Sequence, residues 1–296
     1  IARYSRAKKG GGRDARSQIR PPIGNRRSGI TCTRSDSPPR AGFFLPVGYA
    51  IVIGPRWAAT LWESALKLLD TRGSNPKLKK TGAAAPFRYA GLSLYPDPVL
   101  CPGSKAAGCM AECLAEQGRG RFASVRDARQ NKAEFFHTDR SGFLDQLRRE
   151  LLNFERVCER SGERGAVRLN VLSDIDWTKL GIPQAFPNLL FVDYTKCVTR
   201  VEKTPDNYRL IFSYSGRPQY RNQNRRAFRT NAPVAVVFRG GFPRTFRGRP
   251  VIDGDRDDIA NAFAAGQIVA LTPKGSAARD RSGFVVDNPD LIGCAS

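Results

Sequence analysis

The chain has 296 residues, 41% of them hydrophobic, so it can bury one large core or two small ones. Seven cysteines in a chain of this length exclude a small disulfide scaffold, and free thiols suit a reducing compartment such as the cytoplasm. The formal net charge of +22 favours polyanionic partners, nucleic acid or nucleotides above all, through release of their counterions.

Residues 1–40 carry 11 Lys and Arg against 2 Asp and have no apolar periodicity, which predicts a disordered basic tail. Phe43–Ile53 is apolar but is interrupted by Pro46 and Gly48. It is also well short of the roughly 20 residues that span a bilayer, so no membrane segment is expected. Trp57–Leu69 has helical spacing, with Trp62, Ala65, Leu66 and Leu69 on one stripe. The chain begins at Ile1 and its only methionine is Met110. The sequence therefore reads as beginning at a processed end, a fragment end or a misassigned start, with residues 1–62 as a tail and possible lead-in segment. The polar stretch 70–85 reads as a linker, and residues 63–296 as a single β/α domain.

Apolar runs predict strands at 88–95, 166–172, 189–194, 208–213, 234–238 and 268–271. Helices are expected over 124–136, after Ser141 as N-cap with a stripe of Leu144, Leu147, Leu151, Phe154 and Cys158, and over the basic stretch 220–230. Continuous apolar strands separated by helix-length segments imply parallel pairing with helices outside. The expected fold is α/β: a complete or partial (β/α) barrel, with an open doubly wound sheet as the alternative. No glycine-rich dinucleotide or phosphate-loop fingerprint follows any of the strands.

The most informative stretch is Gly91–Arg121, which gathers Cys101, Cys109 and Cys113 at C-x7-C-x3-C spacing in a Pro/Gly-rich loop after a strand. A loop of this kind exposes its side chains more often than it buries them, so the three thiols are candidate ligands of one metal centre. Three thiolates leave a structural zinc site unfinished, whereas a [4Fe–4S] iron–sulfur cluster can keep one iron open. Cys197 is an outside candidate for a fourth ligand. His137, the only histidine, follows a helix rather than lying beside the thiols, and reads as a surface residue instead of the fourth member of a zinc set.

In parallel β/α folds function gathers where strands end. Polar residues collect there: Asn170, Ser173 and Asp174 after one strand, Asp193, Tyr194 and Lys196 at the next, and Asp253 with Asp255 further on. Each alone can be a cap or turn former, but together they outline one rim.

The segments CPGSKAAGCMAECLAEQGRGRFASVRDAR, FFHTDRSGF, VRLNVLSDIDW, FVDYTK, NYRLIFSYS, VAVVFR, RPVIDGDRDD and DRSGFVV follow one another in fixed order. Together they resemble a family of bacteriophage and prophage proteins related to the phage gene-product-88 group, over roughly Asn75–Val286. The resemblance implies a compact, phage-derived domain without implying an activity. It carries Cys101, Cys109, Cys113, Asn170, Ser173, Asp174, Asp193, Tyr194, Lys196, Asp253 and Asp255 at matching positions, and it usually lacks a histidine where His137 stands. The order of strand, three-cysteine loop, helix and further β/α units is also similar to that of radical S-adenosylmethionine enzymes, although their C-x3-C-x2-C spacing differs from this one.

Two functions follow as expectations. In the first, an iron–sulfur enzyme acts on a nucleotide or nucleic-acid-related substrate, with S-adenosylmethionine among the cofactors that the likeness suggests. Its cluster sits on Cys101, Cys109 and Cys113, and Asp193 and Lys196 supply acid–base or electrostatic help. Asn170, Ser173, Asp174, Tyr194, Asp253 and Asp255 then bind cofactor or substrate. In the second, a non-catalytic protein with a structural zinc grips nucleic acid through Arg217, Arg221, Arg225, Arg226 and Arg229, with Tyr220 and Phe228 interleaved for stacking.

Overall fold

The computed structural model describes residues 66–71 and 87–292. The basic tail, the apolar stretch 43–53 and the linker segment 72–86 lie outside the described residues. Among the described residues no helix is long and apolar enough to cross a membrane.

The strands are β1 (Leu69–Asp70), β2 (Phe87–Leu92), β3 (Arg164–Arg168), β4 (Leu190–Thr195) and β5 (Tyr208–Ser213). They continue with β6 (Val234–Arg239), β7 (Thr245–Phe246), β8 (Arg249–Asp253), β9 (Ile268–Leu271) and β10 (Val286–Asp287). The helices are α1 (Ser104–Ala107), α2 (Ala123–Thr138), α3 (Arg140–Ser161), α4 (Ile182–Ala185), α5 (Val198–Val201), α6 (Arg221–Ala227), α7 (Asp258–Ala262) and α8 (Pro289–Ile292).

The strands form one sheet in the order β1-β2-β3-β4-β5-β6-β9-β8-β7, with β10 added beside β6. Pairing is parallel from β2 through β6, β9 and β8, and antiparallel only at the two ends, β1 on β2 and β7 on β8. From β2 to β6 each strand lies beside its successor in sequence, so this stretch has no reversal of order of the kind that marks a doubly wound sheet. The sheet is nevertheless open, since β1 and β7 end it without pairing to each other. The expected α/β class with a mostly parallel sheet is present, but among the described residues the sheet does not close, so of the complete or partial barrel expected the complete form is not seen.

Alternation explains why the central strands read as unbroken apolar runs. Val167, Phe191, Tyr208 and Leu210 face α2 and α3, where they meet Phe136, Phe143, Leu147, Leu151 and Phe154. Phe212, Val236, Phe238 and Ala270 continue that face toward α5 and α6. Their neighbours Ala166, Leu190, Val192, Ile211, Ala235 and Val269 face the other way, onto Ile259 and Ala262 of α7. With both faces covered, no polar alternation survives in the sequence.

Three local expectations change. Leu66–Leu69, the described end of the expected lead-in helix, is not helical and enters β1 at Leu69, because the Leu68 and Leu69 amides donate to the Glu150 carboxylate while Leu69 pairs with Leu92. The cap of α3 is Asp139, whose carboxylate accepts from the Gly142 amide at 2.9 Å; Ser141 sits in the first turn and donates to that same carboxylate. The strand expected at 166–172 ends at Arg168, because the chain beyond it turns into a bonded loop. Gly165 on β3 marks where α3 comes closest to the sheet, since a Cβ there would lie 2.5 Å from the Leu189 side chain and 3.1 Å from Cys158.

Candidate functional site

The loop that carries the three cysteines lies across the C-terminal ends of β3, β4 and β5. Asp97 shapes its start. One carboxylate oxygen accepts from the Val99 and Leu100 amides, and the other meets His137 Nε2 at 2.8 Å. Four contacts then pin the loop to the rim. The Asp174 amide donates to the Leu100 carbonyl at 2.8 Å and Cys101 Sγ to the Leu172 carbonyl at 3.4 Å. Ser215 Oγ donates to the Ala107 carbonyl at 2.7 Å, and Arg217 to the Lys105 carbonyl at 3.3 Å. Gly103 is required by this approach, because a Cβ there would fall 2.6 Å from the Tyr220 hydroxyl and 2.8 Å from Lys196 Cβ.

Cys101, Cys109 and Cys113 are all free and half-buried. Burial pushes each thiol up from its ordinary value. Cys101 is raised further by Asp174, Cys113 and Cys109, and Cys113 by Cys109, so the three sulfurs lie within electrostatic reach of one another. Lys196 opposes the rise at Cys109. Among the described residues, however, no group of three or more His, Cys, Asp or Glu side chains is arranged to hold a metal ion. His137 is turned to Asp97, and Cys197 Sγ bonds Thr199 Oγ1 at 3.0 Å.

Beneath the loop is a buried polar network. Asn170 Oδ1 accepts from Ser173 Oγ, the Ile175 amide and Trp177 Nε1, while its amino group donates to the Ile175 carbonyl. Asp193, fully buried, accepts from the Asn170 amide at 2.8 Å and from the Tyr208 hydroxyl at 2.9 Å. Burial pushes its carboxyl up to about 7, against the pull of Arg168, the two hydrogen bonds and Arg200. Asp174 pairs with Arg200 and accepts from the Lys196 amide at 2.8 Å, and Arg200 reaches on to the Tyr208 hydroxyl at 3.3 Å.

Lys196, 7% exposed, donates to the Ser213 and Tyr214 carbonyls at 2.9 Å and lies over the rings of Phe284 and Tyr220. Burial pulls its ammonium down to about 8, against the favourable charges of Cys109 and Asp174.

The predicted rim residues thus divide into three places. Asn170, Ser173, Asp174, Asp193 and Lys196 come together under the thiol loop, bonded mostly to one another and to backbone. Tyr194 points to the opposite sheet face, where its hydroxyl donates to Asp258 and accepts from Asn261. Asp253 and Asp255 stand at the end of β8, paired with Arg256 and Lys274. Sequence reasoning missed Arg200 and Tyr208, since nothing in VTRV or NYRL marks an Arg or Tyr destined for burial.

A second feature adjoins the loop. A cavity of about 520 Å³ opens between α6 and the β7–β8 hairpin, lined by Arg217, Arg221, Arg225, Arg229 and Arg247, with Tyr214, Phe228 and Asn224. No carboxylate lines it, and none of the five arginines has a carboxylate partner among the described residues. Arg226, which the sequence grouped with them, pairs instead with Glu202. Tyr220 is buried under the thiol loop, so of the two expected stacking residues only Phe228 lines the cavity.

Arg247 was not foreseen. With Gly248 it forms the two-residue turn between β7 and β8, with φ of 50° and 79°. Positive φ at both turn positions suits a twisted hairpin, but a side chain at the first costs about 1 kcal/mol relative to glycine. Its guanidinium lies 5.6 to 5.9 Å from the ring centroids of Tyr214, Phe246 and Phe228. Behind it, Arg249 donates to the Phe228 and Ala232 carbonyls and fastens the hairpin to the end of α6.

A larger cavity, about 710 Å³, lies between β2 and α2, but two of its cations already serve the backbone, Arg129 at Ala115 and Lys132 at Leu68.

The family model for gene product 88 matches residues 66–288, three quarters of the chain. The chain belongs to the gene product 88 family. The match holds both the thiol loop and the arginine cavity, so neither is an appendage to the gene product 88 domain. No curated protein and no solved structure matches it, so the looser likeness to radical S-adenosylmethionine enzymes gains no support.

The buried Asp193 gives the stability of this gene product 88 protein a pH signature. A carboxyl raised from 3.8 to about 7 on folding contributes stability below pH 4 that is lost as pH rises through 7. The expected outcome is that the stability of the wild-type protein relative to Asp193→Asn falls across that window, by at most about 1.4 kcal/mol per pH unit. Urea unfolding of both proteins at several pH values measures it. Parallel curves would mean that Asp193 is ionised throughout.

Proposed function

We propose that this protein binds nucleic acid, with the arginine-lined cavity beside the thiol loop as its grip. The single observation that carries the reading is five arginines around one concavity without a carboxylate to neutralise them. Exposed arginines are ordinarily interspersed with acids, and a cluster left unpaired raises the local potential and concentrates anions. Phosphate oxygens match the guanidinium fork in pairs, which makes arginine the residue of choice for such ligands. Phe228 adds a ring to the same wall, as stacking of unpaired bases would need.

A second reading keeps the three thiols as a metal centre, more suited to an iron–sulfur cluster than to zinc. What favours it is that three free, half-buried thiols share one loop over the strand ends, and a bound cation displaces the protons of such thiols. An open cluster asks for three ligands and zinc for four. The two readings are compatible, because Arg217 lines the cavity and also bonds the loop at Lys105.

Binding of labelled single-stranded DNA, followed by fluorescence anisotropy across salt concentrations, tests the first reading. If all five arginines contact phosphate, log K falls with log salt at a slope near −3.5, and Arg221→Ala with Arg225→Ala reduces that slope by about 1.4. Binding that survives the double variant but disappears when residues 1–40 are removed would move the grip to the tail.

Anaerobic reconstitution with iron and sulfide tests the second. Loss of bound iron in Cys101→Ala, Cys109→Ala and Cys113→Ala, with Cys197→Ala unaffected, is the expected pattern. No iron in the unmutated protein would remove this reading.

A further inference from the structure

The cavity is not built for phosphate alone. Asn224 is 5% exposed and lies in the cavity wall. Its amino group donates to the Ser215 carbonyl at 2.6 Å, which fixes the orientation of the amide, and its Oδ1 has no hydrogen-bond partner. A buried acceptor left without a donor is costly and points to a missing partner. A phosphodiester group carries no donor, so it cannot satisfy that oxygen and would be repelled by it. A nucleic-acid ligand that satisfies it brings an N–H or O–H in addition to the negative charge that suits the arginines.

A nucleotide unit has both. Its own and the flanking phosphates match Arg217, Arg221, Arg225 and Arg229, and every base carries an N–H. The shape agrees, for about 520 Å³ is the size of a small-molecule pocket rather than of a flat track for duplex backbone. Phe228, with Arg249 and Arg247 over its ring, and the planar Arg247 guanidinium form a stacked wall against which a base can lie. The strained turn that carries Arg247 aims a side chain from a position that glycine would fill more comfortably.

We propose that one unpaired nucleotide of a single-stranded nucleic acid enters this cavity, with its own and the flanking phosphates spread over the arginines, its base against Phe228 and Arg247, and a base N–H donating to Asn224 Oδ1. This rests on the nucleic-acid-binding reading above and narrows it to single strands taken up one nucleotide deep.

The test is competition against the labelled single strand by nucleoside 5′-monophosphates, by inorganic phosphate and by a duplex of the same length, using the full chain. Nucleoside monophosphates should compete at concentrations at which inorganic phosphate does not, and the duplex should compete poorly. Arg247→Gly relieves the turn, so it should leave thermal stability unchanged or raised while weakening nucleotide competition about tenfold or more. Asn224→Ala should weaken it too, with the salt slope for the oligonucleotide unchanged.

If the single strand binds through the arginines but monophosphates do no better than inorganic phosphate, and Arg247→Gly is silent, the cavity inference falls and the broader reading stands. If monophosphates bind while the oligonucleotide does not, the cavity is a nucleotide site and the polymer reading falls. Equal competition by single strand and duplex would also overturn the inference.

Discussion

The contact on which the rim depends is the buried pair of Asp174 and Arg200, 9% and 8% exposed at their side chains. Asp174 follows β3, Arg200 lies in α5 after β4, and the Tyr208 hydroxyl on β5 joins the guanidinium to Asp193 and so to Asn170. The backbone of Asp174 holds the thiol loop at Leu100, and its second carboxylate oxygen holds the Lys196 amide. Asp174, through its backbone and its carboxylate together, therefore ties three strand ends to the loop that crosses them. Removing one partner of such a pair typically costs about 3–5 kcal/mol, because the other charge is left buried and uncompensated.

That arrangement has a consequence for the chemistry above it. The polar residues under the loop are mostly engaged with one another, so they act as a rigid floor. The free thiols and the arginines without carboxylate partners lie above and beside it. Arg217 connects the two, since it lines the cavity, bonds Lys105 in the loop and packs where a side chain at Gly108 would stand. A phosphate-bearing ligand in the cavity would therefore lie next to the segment that carries Cys109.

The sequence was most legible where burial on both faces leaves a continuous apolar run. Tyr208–Ser213 and Ile268–Leu271 form strands as expected, and the parallel order from β2 to β6 follows from helix-length spacings between such runs. It was least legible where a polar partner from far away decides the local structure. Leu66–Leu69 has helical spacing, but Glu150, some eighty positions on, supplies the acceptor for its Leu68 and Leu69 amides, and it enters β1 instead. Closure of the sheet was out of reach for the same reason, since β1 and the β7–β8 hairpin are short edge elements that only pairing reveals. The rim was legible as a set without its inner division. Tyr194 alternates to the far face while Asp193 turns inward, and period-two geometry separates two residues that are adjacent in sequence. Arg217, Arg221, Arg225 and Arg229 were visible as a basic run, whereas Arg247 joins them only through a hairpin that folds back across α6.

Photocrosslinking tests most directly the claim that nucleic acid enters at the arginine cavity. Full-length protein is irradiated with a single strand containing a photoreactive base, and the attached peptide is identified by mass spectrometry. The account predicts attachment within 214–229 or at the turn around Arg247, and its loss in Arg221→Ala/Arg225→Ala protein. Attachment confined to residues 1–40, unchanged in that double variant, would contradict it.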